Sequence, residues 1–169
     1  MKIFKYKIKA FSLIEVLLYI SLLCIILTGI VTFSNELFLT SNKAKIINNV
    51  DYESNYALNL ISSYIQEAKI INSPTTSSSS PILSFNYASN TTIIISLINN
   101  QISMSVDNNP PISLTSNKVK ITNLTFTNLG LLNTKGLIKI SFTADNNTTS
   151  EKQEFNFTNN YETYATPKN

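Results

Sequence analysis

Lys9-Ala10-Phe11-Ser12-Leu13-Ile14-Glu15-Val16-Leu17-Leu18 is the stretch on which the reading of this 169-residue chain turns. It opens an almost wholly apolar run over 11–33, in which Glu15 is the one charge. At ~1.5 Å rise per residue this run makes about 34 Å of helix, enough to cross a hydrocarbon core of ~30 Å. A carboxylate inside such a segment costs ~2.5–3.5 kcal/mol near its centre and less toward an end. Glu15 therefore calls for a partner. Lys2, Lys5, Lys7 and Lys9 crowd the residues ahead of Phe11, with no acid among them. Positive charge beside an apolar helix holds that end in the cytoplasm and sends the remainder outward.

Were the chain cut after Ala10, the new α-amine on Phe11 would stand four residues before Glu15. Positions i and i+4 share one helix face, ~6 Å apart along the axis. In apolar surroundings the amine and the carboxylate neutralise each other, within one chain or between neighbouring chains. On this reading the acid is a docking charge.

Ala10-Phe11-Ser12-Leu13-Ile14-Glu15-Val16 resembles the prepilin-peptidase site of bacterial type IV pilins and pseudopilins. That family has a short basic leader, a small residue before the cut, Phe first in the mature chain, and Glu as its fifth residue. The resemblance implies cleavage between Ala10 and Phe11, N-methylation of Phe11, and pairing of Glu15 with a neighbouring subunit's amine during filament assembly. Two departures stand out. Ala10 replaces the usual Gly, and no Pro precedes Pro74, so the helix-kinking Pro common in major pilins is missing. This favours a minor pilin or pseudopilin. The motif covers about the first 25 residues; beyond them the likeness is one of architecture.

Two plainer readings compete. A cleaved secretory signal has an apolar core of about 7–15 residues followed by a small-x-small site. Here the core is longer, and Thr28-Gly29-Ile30-Val31-Thr32-Phe33 offers no convincing site. A plain signal anchor explains the lysines and the apolar helix, but not Glu15.

The formal charge of +3 overstates the basic character. Without the first ten residues, nine lysines face ten acids and the balance is −1, so no global basic field argues for nucleic acid. Cys24 is the one cysteine and lies within the apolar run. An intrachain disulfide is thereby excluded, and a small buried hydrophobe is its simplest reading.

Beyond Ser34-Asn35-Glu36 helical patterning continues. Ile47, Val50, Ser54, Ala57, Ile61, Tyr64, Ile65 and Ala68 follow three- and four-residue steps and form one stripe. Asn48, Asn49, Asp51, Glu53, Asn55, Asn59, Ser62 and Gln66 fall on the wet face. With no Pro or Gly from Val31 to Ser73, the pattern predicts one helix over about 11–72, weakest near Thr40-Ser41-Asn42. Ser73-Pro74-Thr75-Thr76-Ser77-Ser78-Ser79-Ser80-Pro81 reads as a mobile, turn-rich linker.

The period then changes to two. Leu83, Phe85 and Tyr87 alternate with polar residues. The runs 92–98 and 101–106, joined by Asn99-Asn100, read as a hairpin. Strands follow at 112–114, 119–126 and 136–142, and Asp145-Asn146-Asn147 turns the chain into a returning strand at 152–157 with Phe155 and Phe157 inward.

Catalytic vocabulary is sparse. With no His and no Cys outside the apolar run, ordinary triads and zinc sites are excluded. Asp107-Asn108-Asn109 and Asp145-Asn146-Asn147 lack the ligand spacing of a calcium loop and read as turns. Lys118 and Lys120, with Lys135 and Lys139, form at most a small phosphate-binding patch.

The expected fold is α+β: a long N-terminal helix, amphipathic in its outer half, packed by a C-terminal antiparallel β-sheet head. Its segments are a basic leader (1–10), the membrane and assembly half of the helix (11–33), the amphipathic half (34–72), the Ser/Pro linker (73–81) and the β-rich head (82–169). The resemblance implies a structural subunit rather than an enzyme, without cofactor or metal. It would serve a type IV pilus, a type II secretion filament or a competence filament. Implied partners are a prepilin peptidase/methyltransferase, other pilin or pseudopilin subunits, the inner-membrane assembly platform and the lipid bilayer. The implied location is a single pass through the inner membrane, leader in the cytoplasm and head outside, and then a cell-surface or periplasmic filament. The rival is a membrane-anchored binding module, an adhesin or DNA-uptake receptor whose head does the specific work.

Overall fold

The computed structural model describes residues 12–87, 91–131, 136–147 and 156–168. They form one long helix followed by antiparallel sheets, an α+β arrangement. Helix α1 spans Leu13–Gln66. Two compact units divide the chain, Met1–Asn42 and Lys43–Asn169, and α1 contributes to both.

In the first unit every residue from 13 to 33 is exposed, including Leu17, Leu18, Leu22, Leu23 and Ile26. This helix is long and apolar enough to cross a membrane. Three of its hydroxyls are satisfied by its own backbone. Ser21 donates to the Leu18 carbonyl (2.9 Å), Thr28 to Cys24 (2.8 Å) and Thr32 to Thr28 (2.6 Å). Such back-bonding lets small polar residues sit in hydrocarbon without a neighbour.

In the second unit the apolar stripe turns inward. Val50, Ser54, Ala57, Ile61 and Ile65 are buried at the steps the sequence predicts, and Leu58 joins them. Burying Ile61 and Ile65 completely stabilises by ~1.5–3 kcal/mol each.

The helix stops six residues short of the expected Asn72, at Gln66. Its end tightens into three-residue bonds, Glu67 N–H to Tyr64 and Ala68 N–H to Ile65. Lys69 N–H then donates to the Asn86 carbonyl (2.9 Å), and the chain becomes strand β1, Ile70–Ser73. Ile70 and Ile71 are β-branched and gain a sheet partner, pairing with Asn86 and Phe85. Tertiary pairing overrides an uninterrupted helical pattern.

The expected linker is also largely ordered structure. Ser79–Ser80 forms β2, paired with Thr127 and Phe126. Buried Asn128 fastens the rest: its Nδ2 donates to the Pro74 carbonyl (3.1 Å), and its backbone exchanges bonds with Ser77 and Ser78. Its Oδ1 accepts from Gly130 N–H (3.0 Å). A Cβ on Gly130 would come within 2.5 Å of the Gly136 Cα, and Gly136 adopts φ +79°. Both positions therefore need glycine.

The remaining strands are β3 (Leu83–Asn86), β4 (Thr92–Ile98), β5 (Gln101–Val106), β6 (Ile112–Ser113), β7 (Val119–Asn128), β8 (Ile138–Asn146) and β9 (Thr158–Ala165). They make two sheets where one was expected. The first has the order β1-β3-β4-β5-β6, the second β2-β7-β8-β9. Asn99 and Asn100 both take positive φ, 51° and 61°, closing the predicted two-residue hairpin. The predicted return at 152–157 falls mostly outside the described residues, and the strand that pairs with β8 is β9. Phe155 lies outside them, while Phe157 packs against the core. Asp145 and Asn146 extend β8 rather than turning it.

One core unites these parts. Phe85 and Ile95 from the first sheet, Phe126, Ile138 and Ile140 from the second, and the buried helix residues belong to a single cluster.

Candidate functional site

Of the residues singled out from the sequence, Ala10 and Phe11 lie outside the described residues. Glu15 lies in the first turn of α1. Ser12 precedes the helix, and its carbonyl accepts from Glu15 N–H (3.0 Å) and Val16 N–H (3.2 Å), so Ser12 occupies the cap position. Glu15 is then the third helical residue, where a carboxylate interacts favourably with the helix dipole. Its Oε1 accepts from the Tyr19 hydroxyl one turn on, at 3.3 Å. A carboxylate offers about four acceptor sites, so a single hydroxyl leaves most of its capacity unused. On the same face, Tyr19, Leu22, Leu23, Ile26 and Leu27 line an apolar groove of about 350 Å³.

The acids of the second unit behave differently. Asp51 and Glu53, assigned to the wet face from sequence, both bond into the fold. The Tyr161 hydroxyl donates to the Asp51 carboxylate. Burial, reinforced by that carboxylate, pushes the Tyr161 phenol up to about 12. Glu53 Oε2 accepts from Ser116 N–H (3.0 Å). At the end of the helix, the Glu67 carboxylate accepts from the Tyr87 hydroxyl and raises that phenol's pKa. Asp107 Oδ1 accepts from Thr92 N–H (2.7 Å), inside the turn read from the sequence. Sequence periodicity missed the first three because each partner comes from a distant strand or loop.

The lysines do not gather into one patch. Lys135 lies outside the described residues. Lys139 pairs with Glu162 at 2.7 Å, which raises its pKa, and lies 5.7 Å from the centroid of the Tyr164 ring. Lys120 stands opposite Asp145, seven positions along β7 from Thr127, the partner of Lys139. That separation is about 20 Å, too far to act as one phosphate site. Lys118 borders a separate hollow of about 260 Å³ with Asn49, Asn117 and Asn147. A trough of about 440 Å³ lies on the second sheet and is lined by Asn123, Ser141, Thr143, Asn160 and Glu162 among others. Among the described residues no group of three metal-ligating side chains occurs.

Comparison with protein-family models, curated proteins and solved structures returns no match. The chain's own residues must carry the functional argument.

Proposed function

We propose that this chain is a structural subunit of the type IV pilin and pseudopilin kind, a minor one, assembled through its N-terminal helix after leader removal. One observation carries the reading: Glu15 is the one charged side chain of the apolar segment, and the helix meets its carboxylate with a single hydroxyl, that of Tyr19. Ser21, Thr28 and Thr32 are satisfied by their own backbone. A carboxylate with spare acceptor capacity in a lipid-compatible helix is costly without a cation. The α-amine made by cutting between Ala10 and Phe11 is the nearest cation the sequence can supply. The peptidase would then also methylate Phe11. In this reading the leader stays in the cytoplasm, the β-rich head lies outside, and neighbouring subunits and the assembly platform are the partners.

Mass spectrometry of the native product tests the first step, with an N-methylated Phe11 terminus expected. A product retaining Met1 would leave the chain a plain membrane anchor. Replacing Glu15 with Ala tests the second step: leader removal is expected to continue while incorporation into filaments fails.

A further inference from the structure

We infer that Tyr19 is a positioning residue for Glu15, holding its carboxylate away from its own helix cap so that it stays available to a second copy's amine. This rests on the assembly role proposed above. Ser12-Leu13-Ile14-Glu15 has the Ser-x-x-Glu spacing in which the glutamate reaches back to the cap residue's N–H. A carboxylate folded back in that way would be spent inside its own chain. The structure has it turned forward instead, with Oε1 3.3 Å from the Tyr19 hydroxyl. The 3-to-4-residue steps from Glu15 through Tyr19 to Leu22, Leu23 and Ile26 keep these residues on one face. Tyr19 is also the first residue of the apolar groove lined by Leu22, Leu23, Ile26 and Leu27. Its ring thus belongs to a surface suited to another apolar helix, while its hydroxyl carries the acid to the head of that surface. The occupant is a second copy of this N-terminal segment, because the cation that would complete Glu15 is that segment's own mature terminus.

Tyr19→Phe removes the hydroxyl and keeps the ring. The test measures self-association of the mature full-length chain in lipid vesicles by energy transfer between labelled copies. Wild type, Tyr19→Phe, Glu15→Gln and the double variant are compared. Tyr19→Phe is expected to weaken association about threefold, the size of an average side-chain hydrogen bond within a membrane. The same change should have no effect in the Glu15→Gln background, since an amide gains little from being held forward for a cation. Unaltered association of Tyr19→Phe overturns the positioning role. So does an equal loss in both backgrounds, which would assign the effect to packing of the ring. If Glu15→Gln alone associates like wild type, the assembly reading itself falls.

Discussion

Carboxylates meet tyrosines in both units, with opposite consequences. In the β-rich unit, Asp51 meets Tyr161 across 110 positions of sequence and Glu67 meets Tyr87 across 20. The first joins the helix to β9 and the second joins the turn after the helix to the residue after β3, so each acid is consumed in making the fold. In the apolar segment, Glu15 meets Tyr19 only four positions away. That contact joins nothing distant and leaves the acid open. The comparison teaches that residue type and partner do not decide a carboxylate's role. What decides it is whether the contact closes the chain on itself.

The sharpest way to break this contrast is to remove each kind of group and ask what is lost. If Glu15 pairs with a neighbour's amine as proposed, Glu15→Ala should reduce incorporation into filaments by about tenfold or more, because that amine would be left without its counter-charge in hydrocarbon. The thermal unfolding of the β-rich unit should be unaltered. Phe126→Ala should do the reverse: its side chain is fully buried, and truncation should destabilise that unit by ~3–5 kcal/mol in denaturant titration. Membrane insertion of the helix should continue.

Smaller effects sharpen the comparison. Asn128→Ala breaks the bonds to Pro74 and Gly130 and should cost ~1–3 kcal/mol. Amide exchange at Ser77 should accelerate before any global unfolding. Tyr161→Phe should cost about 1 kcal/mol at neutral pH. It should also change the alkaline behaviour. Because the folded phenol is raised to about 12 from its ordinary 10.0, its contribution is complete below pH 10 and is lost as pH rises toward about 12. The variant should show less loss of stability across that window than wild type.

Much of this was legible from local signals. The buried stripe from Val50 to Ile65, the hairpin of β4 and β5 at Asn99-Asn100 and the alternation of β7 and β8 all follow from period and turn chemistry. Three features were not. The helix end depends on Ile70 and Ile71 finding Asn86 and Phe85, which no helical period reveals. β9 buries only Tyr161 and Ala165, so its alternation is too thin to stand out from polar loop. The order of the linker depends on Asn128, some fifty residues downstream, and a Ser/Pro run read alone carries no trace of it. At the candidate assembly site, the lone acid was legible, but the direction taken by its carboxylate required coordinates.

Among the described residues, left-handed backbone falls mainly to asparagine. Asn99, Asn100, Asn108 and Asn123 all take positive φ, whereas only Gly136 does so among the glycines. Succinimide closure, the route by which asparagine ages, is fastest when glycine follows, because glycine leaves the attacking nitrogen unhindered. Here the followers are Asn100, Gln101, Asn109 and Leu124. Tight corners are thus obtained from asparagines whose following residues hinder that reaction.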